Sequence, residues 1–219
     1  MKSEFLKRLL SSIVLLILIY IILKLPSSFF VILLFIMIII TIIELKKIIS
    51  NKIILYFGYL FVICSYLSVL KIHSNIDKNL FLFLLLISIM TDLGGYIFGK
   101  LIGGPKLTKI SPNKTYAGFV GSFVLVIIMT YFFMFKLEVD KLNLGIFNTN
   151  SIYTTLILSI FLSFISQIGD LIVSFFKRQN KIKDTGNIIP GHGGILDRID
   201  GMLFVFPTYL FLNFILHTL

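Results

Sequence analysis

A single cysteine excludes a disulfide framework and a thiol-paired metal site. Cys64 stands alone inside an apolar run, where a small buried side chain is the expectation. Charge is also scarce, at 14% of 219 residues against 58% hydrophobic, and mean hydropathy is +1.03. No soluble domain, low-complexity linker or internal repeat interrupts the apolar runs, several of which approach the roughly 20 residues that cross a bilayer. The sequence therefore predicts an integral membrane protein of the all-α class, a polytopic transmembrane helix bundle forming one membrane domain over 1–219. Acids are the scarcer charge, ten against 20 Lys and Arg, for a net charge of +10. In a membrane chain such an excess sets topology and attracts anionic headgroups, so no nucleic-acid partner is expected.

About seven spans are predicted, over 9–25, 27–43, 53–70, 79–99, 116–135, 151–176 and 201–218. With the N-terminus in the cytoplasm, 15 of the 20 basic residues fall in cytoplasmic segments. Lys24, Lys71, Lys78, Lys136 and Lys141 are left outside. The first span follows Lys2, Lys7 and Arg8 as a signal peptide would, but no small-x-small site succeeds it. "KLPSS" leads at once into the next span, so an uncleaved hairpin turned at Pro26 is expected. Residues 1–75 form the N-terminal spans. Residues 79–219 form the spans that carry the candidate site residues, with cytoplasmic loops 100–115 and 177–200.

Two carboxylates lie inside spans, Asp92 in "SIMTDLGGYIFGK" and Asp170 in "FISQIGDLIVSFFKR". A charge at that depth costs several kcal/mol unless it meets a partner, a cation or water. No basic residue sits at comparable depth, which favours a bound metal over an interhelical ion pair. Asp197 and Asp200 are three apart in "LDRIDG". If the last span begins there, both share a helix face and, with Asp170, could gather a hard divalent cation such as Mg2+, a second cation being left open. Helix capping is the plainer role for the two, but it leaves "PGHGG" unexplained. There Pro190 fixes a turn, and Gly191, Gly193 and Gly194 would let backbone approach a ligand. Freed N–H groups beside Lys177, Arg178, Lys181, Lys183 and Arg198 suit a polyphosphate.

The loop after the fourth span has similar chemistry. "SPNKT" presents Lys114 between the hydroxyls of Ser111 and Thr115, which suits an anion better than a merely solvated turn. Gly95, Gly99 and Gly103, four apart, read as close helix packing rather than a ligand site. His192 is either a donor to a phosphate oxygen or a turn stabiliser, whereas His73 and His217, on the far side, are bystanders.

Residues 174–200 resemble the signature of the phosphatidate cytidylyltransferase family, also called CDP-diacylglycerol synthase. The matching positions are Ser174, Lys177-Arg178, Lys183-Asp184, Gly186, "PGHGG" and "DRID". "TDLGGYIFGKLIGG" and "SPNKT" look like the family's upstream region, so the similarity covers about 90–201. Ala117 departs from it, since many members carry a glutamate there. The resemblance implies transfer of a cytidylyl group from CTP to phosphatidic acid, with Mg2+, at a site facing the cytoplasm in a bacterial inner membrane. It also leaves room for a homodimer. Asp170, Asp197 and Asp200 would hold the metal, and Lys177, Arg178 and Lys183 would act with them on the reacting phosphates. Ser111, Lys114, Thr115, Asp184, His192, Gly193, Gly194 and Arg198 would bind substrate. The rival readings are a CTP-dependent polyprenol or phytol kinase and a cation transporter using Asp92 and Asp170. The paired aspartate motif of the CDP-alcohol phosphotransferases is missing, and the related halves expected of a transporter are not seen.

Overall fold

The structure is a computed structural model that describes residues 27–75, 78–108, 110–136, 152–186, 188 and 193–218. Seven helices order the described chain. They are α1 (Ser27–Ile48), α2 (Lys52–Asn75), α3 (Lys78–Leu101), α4 (Tyr116–Lys136), α5 (Ile152–Gln179), α6 (Leu196–Ile199) and α7 (Met202–Thr218). No strand occurs among the described residues, and Lys106 and Thr115 form an isolated bridge. The all-α, polytopic membrane class read from the sequence is what the structure has: α1 to α5 are each long and apolar enough to cross a membrane, and α7 is a shorter apolar helix. The expected span over 9–25, with its hairpin and Pro26, lies outside the described residues. Four of the others are found a few residues longer than expected, α4 is longer by one, and α7 starts one residue later, at Met202. Helical hydrogen bonding continues past the apolar run, and Lys46, Lys47, Lys177 and Arg178 in the last turns of α1 and α5 complement the helix dipole.

Large apolar side chains such as Phe35, Phe57, Leu60 and Phe132 stand outward, as helices solvated by lipid allow. Cys64 belongs to that face. It is exposed rather than buried, because it lies on the outer side of α2 instead of against a neighbour.

The chain forms two compact units. One joins the described part of Met1–Leu70 to Phe176–Ile199, and the other joins Lys71–Phe175 to Asp200–Leu219. In the first unit, Phe30 and Ile48 are buried and Thr41 bonds the Tyr66 hydroxyl at 2.8 Å, tying α1 to α2. The end of α5 closes in a Schellman turn, with the Ile182 N–H on the Lys177 carbonyl (2.8 Å) and the Lys181 N–H on that of Arg178 (3.0 Å). Lys181 takes the left-handed position, φ 57°. Asn180 then donates to the Ile48 carbonyl at 2.5 Å, anchoring this turn to the end of α1.

In the second unit, α3 and α4 pack backbone to backbone. A methyl on Gly94 would stand 2.7 Å from the Gly121 carbonyl, and one on Gly118 would stand 2.5 Å from that of Gly95. Gly95 and Gly99 lie on this interface, as their spacing predicts. Gly103 does not. With φ 68° and nothing near its missing side chain, it turns the chain out of α3 together with Gly104. The loop folds back on itself through Leu107 N–H to Lys114 carbonyl (2.8 Å) and Tyr116 N–H to Pro105 carbonyl (3.2 Å). Thr115 caps α4 by accepting from the Gly118 N–H at 3.1 Å. Thr91 bonds Ser163 at 2.8 Å between α3 and α5, and Phe81 meets Phe206 of α7 at 5.6 Å. His73 is buried edge-on against Phe81, consistent with a bystander.

Candidate active site

The signature segment builds its own architecture within the first unit. Asp197, in the single turn of α6, is almost fully accounted for by donors. Its Oδ2 accepts from the Thr185 N–H (2.8 Å), the Gly194 N–H (3.0 Å) and the Thr185 hydroxyl (3.1 Å). Its Oδ1 accepts from the Lys177 ammonium at 2.8 Å, with side chains only 7% and 12% exposed. Burial pushes the Asp197 carboxyl up. The Lys177 hydrogen bond, the Gly194 and Thr185 N–H groups and the Lys177 charge together outweigh it and hold the group below its ordinary value of 3.8.

Beneath this loop lies a carboxylate that the sequence reading did not single out. Glu44 of α1 is 1% exposed. Its Oε1 accepts from the Ile195 N–H (3.1 Å), and its Oε2 accepts from the Leu196 N–H (2.8 Å) and the Thr185 hydroxyl (2.9 Å). Thr185, itself buried, thus stands between two carboxylates with one hydroxyl hydrogen to give. The signal was an acid one position past the expected span 27–43, in a run that stays apolar up to it.

The motif glycines acquire an internal reason. A methyl on Gly194 would run into the Thr185 hydroxyl and the Glu44 carboxylate, and one on Gly186 would stand 2.7 Å from Glu44 Oε1. Gly193 has φ 87° and would place a methyl 2.7 Å from Asp197 Oδ2. The loop closes on the Asp197 carboxylate and on Glu44 of α1, where the sequence suggested close approach to a ligand. Around it Arg178, Lys183, Asp184 and Arg198 are exposed, forming a charged rim. His192 lies outside the described residues.

The second unit holds the other charged pair. Lys114 reaches Asp170 Oδ2 at 2.5 Å, and Ser174, one turn along α5, donates to Asp170 Oδ1 at 3.2 Å. This corrects the expectation that no basic residue meets Asp170. The folded-back "SPNKT" loop delivers Lys114 to the carboxylate, which no count along the span could reveal. Both side chains remain about a quarter exposed. Ser111 supplies the carbonyl that closes the turn before Lys114, 3.0 Å from its N–H. Asp92 is exposed on α3.

Asp200 is 5% exposed, and its Oδ1 accepts from its neighbour Gly201 at 2.9 Å. The continuous helix expected through "LDRIDG" is interrupted here. α6 ends at Ile199 and α7 starts at Met202, and between them Gly201 lies so close to Ser166 of α5 that no side chain fits there. Gly169 likewise admits the Asp200 carbonyl, so the Asp200 backbone lies against the residue preceding Asp170.

Within either unit, the described residues hold no group of three carboxylate, histidine or cysteine side chains poised on one ion. The donor chemistry nevertheless suits a hard cation at Asp170. Its carboxylate is accessible, carries one donor on each oxygen and already attracts a cationic group. Asp197 suits one less well, since three donors crowd Oδ2.

Comparison with known proteins gives this geometry a family. Residues 14–216 match the model of the cytidylyltransferase family. A phosphatidate cytidylyltransferase of Staphylococcus haemolyticus is 45% identical over 127 residues, 58% of this chain and 45% of that protein. One of Staphylococcus aureus is 47% identical over 131 residues, with the same shares. One of Bacillus subtilis is 43% identical over 125 residues, 56% of this chain and 42% of that protein. The match spans less than half the length of each of these relatives. With the family match running through both units and nearly the whole chain, this protein belongs to the cytidylyltransferase family.

Proposed function

We propose that the protein transfers the cytidylyl group of CTP to phosphatidic acid, giving CDP-diacylglycerol and pyrophosphate, at the cytoplasmic face of a bacterial inner membrane. What supports the reading most is the family match over residues 14–216, joined by relatives named phosphatidate cytidylyltransferase at 43–47% identity. A lipid phosphate oxygen forms a bond to the α-phosphorus of CTP. The bond from that phosphorus to the bridging oxygen breaks, and pyrophosphate leaves with the electron pair. The attacking oxygen is already anionic at neutral pH, so neither a strong base nor a covalent nucleophile is needed. The work is positioning and charge neutralisation.

Asp170 and Lys114 are the accessible pair suited to that work. Lys114 turns from the Asp170 carboxylate to a phosphate oxygen, and Asp170 is the carboxylate best placed to take a cation in exchange. Mg2+, held by Asp170 with Asp197 and Asp200 as the other proposed carboxylates, would supply charge neutralisation at the α-phosphate and the leaving group. Arg178, Lys183 and Arg198 gather the triphosphate from the exposed rim. Asp184, Ser111, Thr115, His192 and the backbone at Gly193 and Gly194 are the further proposed substrate contacts.

The test is incorporation of labelled CTP into a chloroform-extractable product by purified protein in detergent. The reading expects label that requires both phosphatidic acid and Mg2+. Label dependent on a prenol instead would assign the chain to the lipid-alcohol kinases, and its absence with both acceptors from folded protein would overturn the reading.

A further inference from the structure

We infer that Glu44 is a positioning residue for Asp197, holding the signature loop in shape from beneath. Three observations carry the inference, all within one compact unit. First, Glu44 is buried yet spends both oxygens on groups of the loop: the Ile195 and Leu196 N–H groups and the Thr185 hydroxyl. A buried carboxylate is costly, so three donors converging on it from one loop form a built arrangement. Second, Thr185 and Gly194, either side of these contacts, give their own N–H groups to Asp197 Oδ2. The chain is thus stitched alternately to Glu44 and Asp197, with the Thr185 hydroxyl touching both. Third, Gly186 and Gly194 lack side chains where a methyl would strike the Glu44 carboxylate. Two glycines of the signature are fitted to a residue far outside it.

The consequence concerns Lys177 and Asp197. Glu44 touches neither, but it fixes Ile195 and Leu196, the two residues leading into Asp197, and Thr185, which bonds the Asp197 carboxylate. Loss of Glu44 would leave the Ile195 and Leu196 N–H groups without their acceptor and the Thr185 hydroxyl with Asp197 alone, and the loop would open to solvate the two N–H groups. Asp197 would then lose the donors that orient its Oδ1 toward Lys177.

The test is hydrogen–deuterium exchange of the full chain in detergent, with turnover measured beside it. The turnover arm rests on the proposed cytidylyl transfer, and the exchange arm does not. Glu44→Gln keeps the shape but turns an N–H donor toward the loop's own donors. Expected are exchange at least tenfold faster at Ile195 and Leu196, and equally at Thr185 and Gly194, whose acceptor is Asp197, with α1 and α2 protected as in the wild type. Turnover per folded molecule should fall about 10–100-fold, as when partners that orient a functional carboxylate are removed.

Faster exchange confined to Ile195 and Leu196, with unchanged turnover, would reduce Glu44 to a local cap and overturn the inference. Should Glu44→Gln fail to fold, Thr185→Val decides the matter. It removes only the hydroxyl shared by the two carboxylates, and is expected to speed exchange at Gly194, Ile195 and Leu196; unchanged exchange there would overturn the inference. If the wild type makes no lipid product, the proposed function fails while the exchange result still decides the role of Glu44.

Discussion

Asp170 and Asp197 each face a lysine, yet the two pairs differ in almost everything else. Asp170 and Lys114 are about a quarter exposed, and the Ser174 hydroxyl is the other partner of the carboxylate. Asp197 and Lys177 are nearly buried, with two backbone N–H groups and a hydroxyl crowding one oxygen of the acid. An exposed ion pair is worth about 0–1 kcal/mol and exchanges partners readily, whereas breaking a buried one strands a charge. The same pairing of residue types therefore makes an adaptable site in one unit and a fixed scaffold in the other.

The largest expected effect breaks the scaffold. Asp197→Ala should destabilise the protein by about 3–5 kcal/mol, read by thermal unfolding in detergent, because Lys177 and the loop donors lose their acceptor. Acid should do the same gradually. The folded carboxyl lies below its ordinary value of 3.8, so its contribution is complete above that pH and is lost as pH falls through the lower folded value. A melting curve across that range should lose its acid limb in Asp197→Asn; an unaltered limb would mean that other carboxylates carry it.

A smaller loss, about 1–3 kcal/mol, is expected for Gly194→Ala, whose methyl must displace Thr185 and Glu44. Differential scanning fluorimetry of the two proteins side by side would measure it. Thr115→Ala removes the cap on α4 and should cost about 1 kcal/mol. Least of all, Asp170→Asn should shift stability by no more than about 1 kcal/mol, since its pair is about a quarter exposed to solvent. A loss as large as that of Asp197→Ala would erase the contrast between the two pairs.

Much of this was legible along the chain. The apolar runs located α1 to α5 and α7 because burial in lipid demands continuous hydrophobicity, and the signature drew attention to Lys177 and Asp197. Four-residue glycine spacing foretold the α3–α4 contact at Gly95 and Gly99 but misread Gly103, which shares the spacing while sitting one turn too far along to face a neighbour. Pairings across distant segments stayed hidden. Lys114 meets Asp170 only because a loop folds back, and Glu44 looked like the charged end of a span until the loop closed over it. The break at Asp200 and Gly201 was invisible for a related reason: "LDRIDG" has good helical spacing, and the close approach of Gly201 to Ser166 on another helix is not written along it.

The claim that Asp170 is the adaptable carboxylate of the reacting site is tested most directly by the turnover of Asp170→Asn, assayed with labelled CTP, phosphatidic acid and Mg2+ on protein that melts as the wild type does. The expected result is a loss of at least about 100-fold, on the scale seen when a group that stabilises developing charge is removed. Wild-type turnover in that folded variant would contradict the assignment and move the reacting site away from Asp170.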